Sequence, residues 1–178
     1  MMPKKWWLTF LVAATITLVT AWGIHVSMHG TAPSDQNTSQ AGDSDAATTP
    51  SPEELLEMEA EIIRQTNEYR VSLGLNELTQ DDQLTYVARI RAQEIVTTWS
   101  HIRPDGTKYV DILVEMQYPS PLVGENLARY QDSVSQVMEM WIASPSHQAN
   151  LVGDFNKIGT AVYLSEEGQL HYVQIFAQ

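Results

Sequence analysis

Residues 6–28, WWLTFLVAATITLVTAWGIHVSM, contain no charged side chain, and this run dictates how the rest of the chain can be organised. A helix crosses the hydrocarbon layer of a bilayer with about 20 apolar residues at roughly 1.5 Å each, and the run meets that length. Trp6 and Trp7 at one end and Trp22 near the other suit the interfacial depth that amphipathic rings prefer. Lys4 and Lys5 precede the run and no charge closely follows it, which puts the N-terminus in the cytoplasm and everything after the run outside. A buried core helix is excluded by the missing polar face. The rival is a cleaved signal peptide, with Val19 and Ala21 as the small residues before the cut. Its apolar region is usually about 7–15 residues, so the longer run here favours an uncleaved anchor. The expected location is the cell membrane, single pass with the C-terminal domain outside, or the exterior if the signal is cut.

Three segments follow: a signal anchor over 1–28, a linker over 29–50 and a folded domain over 51–178. In the linker the composition turns to Ser, Thr, Asp, Ala, Gly and Gln with no large aliphatic residue after Met28. Such a segment has too little to bury to offset the entropy of ordering it. As a random coil it would span about 25 Å root-mean-square. The remaining segment is of ordinary single-domain size and can bury most of its apolar surface unaided. It must do so without disulfides, because the chain has no cysteine. That absence also removes thiolate metal sites and cysteine nucleophiles.

The formal charge is −12, and Lys4 and Lys5 are the only charges in residues 1–30, so the remainder carries −14. A surface of that sign repels phosphate backbones, and the other Lys and Arg residues are scattered from Arg64 to Lys157 rather than clustered. Nucleic acid is excluded as a partner.

The pattern within 51–178 predicts helices first and a hairpin last. Ser51-Pro52-Glu53-Glu54 is a helix opening, with a capping hydroxyl, proline in the first turn and acids at the positive end of the dipole. Leu55, Ile62 and Tyr69 recur at seven-residue spacing, and Gly74 supplies the stop. The acidic residues of 53–61 read as a solvated face. A second helix is expected from Thr79, with Asp82 three residues on and Leu84, Val87, Ala88 and Ile95 on its apolar face. Pro104-Asp105-Gly106 marks a turn before a short helix over about 107–116, and Pro119 and Pro121 break the chain again. A helix from about Asp132 carries Val134, Val137, Met138 and Trp141 and ends at Ser144-Pro145. Residues 158–164 and 170–176 alternate about Glu166-Glu167-Gly168, a hairpin signal. His171 in its second strand is expected to face solvent or a cross-strand partner, and Trp99, Trp141 and Tyr69 are expected as core anchors. Helices followed by a terminal antiparallel hairpin indicate an α+β layered domain.

Several segments together carry a resemblance: NEYR at 67–70 with Gly74 and Leu78, SHIRPDG at 100–106, GENLA at 124–128, WIASPSHQAN at 141–150, and Ile158-Gly159 ahead of the strand at 172–176. In that order they resemble the bacterial SCP-like branch of the CAP superfamily, which includes the cysteine-rich secretory, antigen 5 and pathogenesis-related 1 proteins. The resemblance covers roughly 55–178. It implies an α-β-α sandwich with a small antiparallel sheet between helical layers. It also implies that His101 and His147 are the two cavity histidines and Glu125 the glutamate of the Gly-Glu-Asn motif. Ser144 stands where eukaryotic members often have a second glutamate, and a hydroxyl is a poor ligand and a poor base.

Two imidazoles and a carboxylate are a chemically sensible set: both atom types bind zinc, and three protein ligands leave a position open for water. Zinc or another divalent metal on His101, Glu125 and His147 would lower the pKa of that water toward about 7. Each residue also has a structural reading. His101 can serve a helix terminus, Glu125 in its apolar stretch needs a partner such as a histidine or Asn126, and His147 can cap a short helical turn that also bears Asn150. Asn126 can hold its loop through side-chain-to-backbone bonds. The functional expectation is a binding or interaction module whose cleft, lined by His101, Glu125, Asn126, Ser144 and His147, takes a lipid, a small molecule or a cell-envelope component. The alternative is a metal-assisted hydrolase of peptides or envelope polymers, although no HExxH or GxSxG signature accompanies it. A third reading is a purely structural envelope protein.

Overall fold

A computed structural model describes residues 49–178. The anchor and most of the linker, residues 1–48, lie outside the described residues. Among the described residues no helix is long and apolar enough to cross a membrane.

The first helix, α1 (Pro52–Ser72), opens as its sequence predicts. Ser51 Oγ accepts from the Glu54 amide while the Glu54 carboxylate accepts from the Ser51 amide, a reciprocal capping box. After it Gly74 adopts φ +76°, the left-handed conformation that halts a helix with least strain at glycine. The next element differs from expectation. Thr79 does not cap a helix: Thr79–Gln80 forms the short strand β1, and Asp81 caps α2 (Asp82–Thr97) by accepting from the amides of Gln83 and Leu84. A carboxylate caps better than a threonine hydroxyl, which frees Thr79 to pair with a strand. Then come α3 (Tyr109–Glu115), β2 (Val123–Arg129), α4 (Val134–Ala143), α5 (Pro145–Leu151), β3 (Lys157–Leu164) and β4 (Leu170–Ala177).

The strands form one sheet in the order β1-β3-β4-β2. β3 and β4 are the predicted hairpin, antiparallel with Gly159 opposite Ile175, while β2 pairs antiparallel with β4 and β1 pairs parallel with β3. Strand alternation sorts the side chains between two helical layers. Ile158, Val162, Tyr172 and Phe176 pack with Ile62, Val137 and Trp141 from the side of α1 and α4. Ala161, Val173, Ile175 and Ala177 pack with Leu84, Val87, Ala88 and Ile95 of α2. This is the expected α-β-α sandwich. Because both faces of the sheet are covered, alternation does not imply exposure. His171 is buried, opposite Arg129 on one side and Tyr163 on the other; it is cross-strand paired and not solvent-facing.

The open edges of the sheet are closed by side chains. On β2 the Trp141 indole donates to the Leu127 carbonyl at 3.1 Å and Asn150 Nδ2 donates to the Glu125 carbonyl at 3.0 Å. On β3, Glu59 accepts from the Val162 amide at 3.3 Å and pairs with Arg89 at 2.8 Å. Glu59 is therefore buried, unlike the solvated acids around it. Trp99 is not a core anchor either: it lies past the end of α2 and is 44% exposed.

Gly159 marks the tightest contact between the layers, since a Cβ there would lie 2.2 Å from the Leu84 carbonyl carbon and 2.2 Å from the Thr85 nitrogen. Backbone cannot rotate away as a side chain can. Gly159→Ala is expected to lower unfolding free energy by at least about 3 kcal/mol, at the upper end of overpacking costs, read from the urea midpoint. An unchanged midpoint would show that α2 does not sit this close.

Candidate functional site

The site begins in α2, with an arginine on the helix's apolar stripe. Arg91 follows Leu84 and Ala88 and precedes Ile95 at three- and four-residue steps, so its side chain must enter the core. It is fully buried there and spends its donors on three oxygens. Nε reaches Glu125 Oε1 at 2.8 Å, Nη1 reaches Glu94 Oε2 at 2.6 Å, and Nη2 reaches the Ser100 carbonyl at 2.6 Å. The second oxygen of Glu94 takes Arg103, at 2.9 Å from Nε and 2.7 Å from Nη2. The loop after α2 is thus tied down at Ser100 and Arg103. Its predicted turn is closed by Asp105, which accepts from the Thr107 amide and hydroxyl, with Gly106 at φ +86°.

Between the two tie points His101 lies over β2, its Nδ1 2.6 Å from Glu125 Oε2. A carboxylate only accepts, so the imidazole donates from Nδ1 and is left with Nε2 as its other polar atom. The two partners differ sharply in exposure: the Glu125 side chain is 0% exposed and that of His101 58%. Glu125 is a buried support beneath an accessible ring.

The surroundings bear this out electrostatically. Burial alone would lower the Arg91 pKa, but hydrogen bonds and charge from Glu125 and Glu94 outweigh it and hold the guanidinium above its ordinary value. Tyr109, whose ring centre is 6.4 Å from that of His101, has its phenol pushed up to about 12, first by burial and then by the Glu125 charge. His147 is held below its ordinary value by burial and, next, by the charge of His101. The two imidazoles therefore share one electrostatic neighbourhood, and Tyr109 joins them there. Sequence reasoning missed Arg91 and Tyr109. For Arg91 the helical spacing was the available signal; for Tyr109, at the start of α3, there was none.

Asn126 and Asn150 lock α5 to the sheet. Asn126 Nδ2 donates to the His147 carbonyl at 3.2 Å and to Gln174 at 3.1 Å, and its oxygen accepts from Asn150 at 2.8 Å. Asn126 is wholly buried and acts as a tether rather than a lining group. His147 does lie in a short helix, α5, and its Nδ1 is buried without a partner among the described residues. Ser144 joins α4 to α5, with its hydroxyl 3.3 Å from that of Ser146. The hollows along α1 and beside the hairpin turn are lined by other residues.

A three-ligand zinc site does not fit this arrangement. Among the described residues no group of three or more His, Asp and Glu side chains is arranged to hold a metal ion. Glu125 has both oxygens engaged, Oε1 by a buried guanidinium and Oε2 by His101, so a metal would have to compete with one of these bonds.

The family model described as "CAP: Cysteine-rich secretory protein family" matches residues 63–176. The chain belongs to the CAP family. It is 27% identical over 135 residues to the uncharacterized protein YkwD of Bacillus subtilis (strain 168), covering 72% of this chain and 52% of that one, so the CAP chain spans about half the length of this curated relative. Among solved structures it resembles an outer surface protein of Borrelia burgdorferi, with TM-score 0.64 and 26% identity over 68% of this chain and 92% of that one. It also resembles an extracellular SCP-domain protein of Bacillus anthracis, with TM-score 0.62 and 24% identity over 74% of this chain and 45% of that one; at that identity the likeness speaks for the fold alone.

Arg91→Leu removes the countercharge from a carboxylate that has no access to water. The expected loss is about 3–5 kcal/mol of stability. Arg91→Leu combined with Glu125→Leu should recover a large part of it, as a double-mutant cycle in urea. A loss in the double variant equal to the sum of the losses of Arg91→Leu and Glu125→Leu alone would mean that the pair is not coupled.

Proposed function

We propose that this CAP domain is an extracytoplasmic binding module, held at the membrane by residues 6–28 and presenting His101, with Tyr109 and His147, to a cell-envelope component or small ligand. The observation that carries this reading is the contrast within the His101–Glu125 pair. An exposed imidazole is fixed through Nδ1 by a carboxylate that is itself clamped by Arg91. A structural histidine needs no such exposure, and a solvated one needs no such support. Preorganising a polar group in this way lowers the entropy lost when a ligand binds. The tyrosine hydroxyl next to it has no hydrogen-bond partner among the described residues and offers a further polar contact. The outer surface protein it resembles supports a location outside the cytoplasm, in agreement with the lysine pair that precedes the apolar run.

The hydrolase reading draws on the same pair, because a carboxylate-oriented imidazole is half of an acid–base catalyst. It lacks the other half: no three-residue metal cluster is formed among the described residues, and neither Ser144 nor Ser146 is hydrogen-bonded to a histidine. Binding is therefore the preferred function.

Co-sedimentation of the full chain, kept in non-ionic detergent, with membrane-free cell-wall material tests the proposal. His101→Ala and His147→Ala are expected to stay folded, with unchanged far-ultraviolet circular dichroism, and to lose at least about ten-fold in retention, the scale of one lost polar contact of roughly 1.4 kcal/mol. Retention equal to that of the unaltered chain would remove the site from the binding function.

A further inference from the structure

Every other arginine among the described residues is paired with oxygen. Arg64, Arg89, Arg91 and Arg103 face carboxylates, and Arg70 donates to the carbonyls of Asn76, Leu151 and Gly153. Arg129 has no hydrogen-bond or ion-pair partner among the described residues; its neighbours are aromatic. Its guanidinium carbon lies 4.4 Å from the centre of the Trp99 ring and 4.7 Å from that of Tyr130. Aromatic faces attract the cation and fix its plane without consuming its N–H groups, so the donors stay available while the side chain loses its freedom.

Both rings are placed for contact rather than for packing. Trp99 is 44% exposed and Tyr130 53%. Tyr130 adopts φ +76°, a conformation uncommon for a bulky residue. There the β2 alternation ends, which lets the Tyr130 ring fold back to the arginine that precedes it, and the buried His171 ring meets it edge-on at 5.9 Å. A positive group held this way in a chain of formal charge −12 selects its own ligand. The surrounding field repels polyanions, whereas a single carboxylate matches the planar guanidinium with two parallel hydrogen bonds.

An extended peptide would add to an open strand edge, but the outward carbonyls of β2 are already occupied by Asn150 and Trp141. The parts of Trp99 and Tyr130 left exposed beside the guanidinium suit the flat C–H face of a sugar. We propose that Arg129, walled by Trp99 and Tyr130, is a receptor for the carboxylate of an acidic sugar. Positions 125 and 129 of β2 face the same side of the strand and are about 13 Å apart at roughly 3.3 Å per residue, and Trp99 lies two residues before His101. The two sites thus lie along one face of β2, and this one does not depend on the His101 reading.

Calorimetric titration of the full chain in non-ionic detergent tests it with methyl glucuronide, methyl glucoside and N-acetylalanine. The glucuronide is expected to bind at least about ten-fold more tightly than the glucoside, which lacks the carboxylate. Arg129→Gln should lose at least about ten-fold for the glucuronide, Arg129→Lys should restore only part of it, and Trp99→Ala should weaken it several-fold. Each variant is first checked for an unchanged thermal midpoint. His101→Ala should retain glucuronide affinity within about three-fold, which separates this site from the cleft. Equal affinity for glucuronide and glucoside, full affinity in Arg129→Gln, or tighter binding of N-acetylalanine than of the glucuronide would overturn the proposal; the last would assign the site to a peptide carboxylate.

Discussion

The buried pair of Arg91 and Glu125 joins the two halves of this domain. One partner comes from the helical layer and the other from an edge strand, and both side chains are sealed from water. Removing two charges from water is expensive, and the attraction between them offsets that expense only when the remaining donors and acceptors are also satisfied. Here they are: Glu94, the Ser100 carbonyl and His101 take the rest. A hydrophobic pair of similar volume would hold the layers together as well or better. What it could not do is orient an imidazole at the surface and fasten the loop that carries it, which is why the pair is best understood through the site it supports.

The same logic explains why a disulfide-free domain keeps its loops in place. Each irregular segment near the site is tied to regular structure by a charged or amide side chain. Arg70 gathers carbonyls from the segments after α1 and α5, Asn126 and Asn150 fasten α5 to β2, and Glu94 holds Arg103. These bonds take the place of crosslinks, and each buried one is costly to break because its partner is then stranded without water.

The regular elements are legible in the sequence where local chemistry decides them. Ser51 with Glu54, the turn at Asp105-Gly106, the apolar face ending at Trp141, and the alternation about Gly168 all have short-range causes. Reading fails where long-range packing decides. Arg91 and Glu59 fall on helical stripes among aliphatic residues, and the rule that charged residues face solvent hides them. Trp99 reads as core by its size, yet it lies past Thr98, where helical spacing no longer governs. Alternation around His171 suggests one wet face, which a sheet covered on both sides does not have. For the site itself, no spacing rule links His101, Glu125 and His147; only the resemblance to a known family assembles them. It does not reveal that Glu125 serves beneath His101 instead of beside it.

Glu125 and Arg91 hold His101 in one tautomer, with its proton on Nδ1. Nitrogen-15 chemical shifts of the His101 ring in the full chain, at a pH where the imidazole is neutral, report this directly. The predicted result is a protonated Nδ1 and an unprotonated Nε2, lost in Glu125→Gln. A ring that averages between tautomers like a free imidazole, or carries its proton on Nε2, would mean that the buried pair does not fix His101.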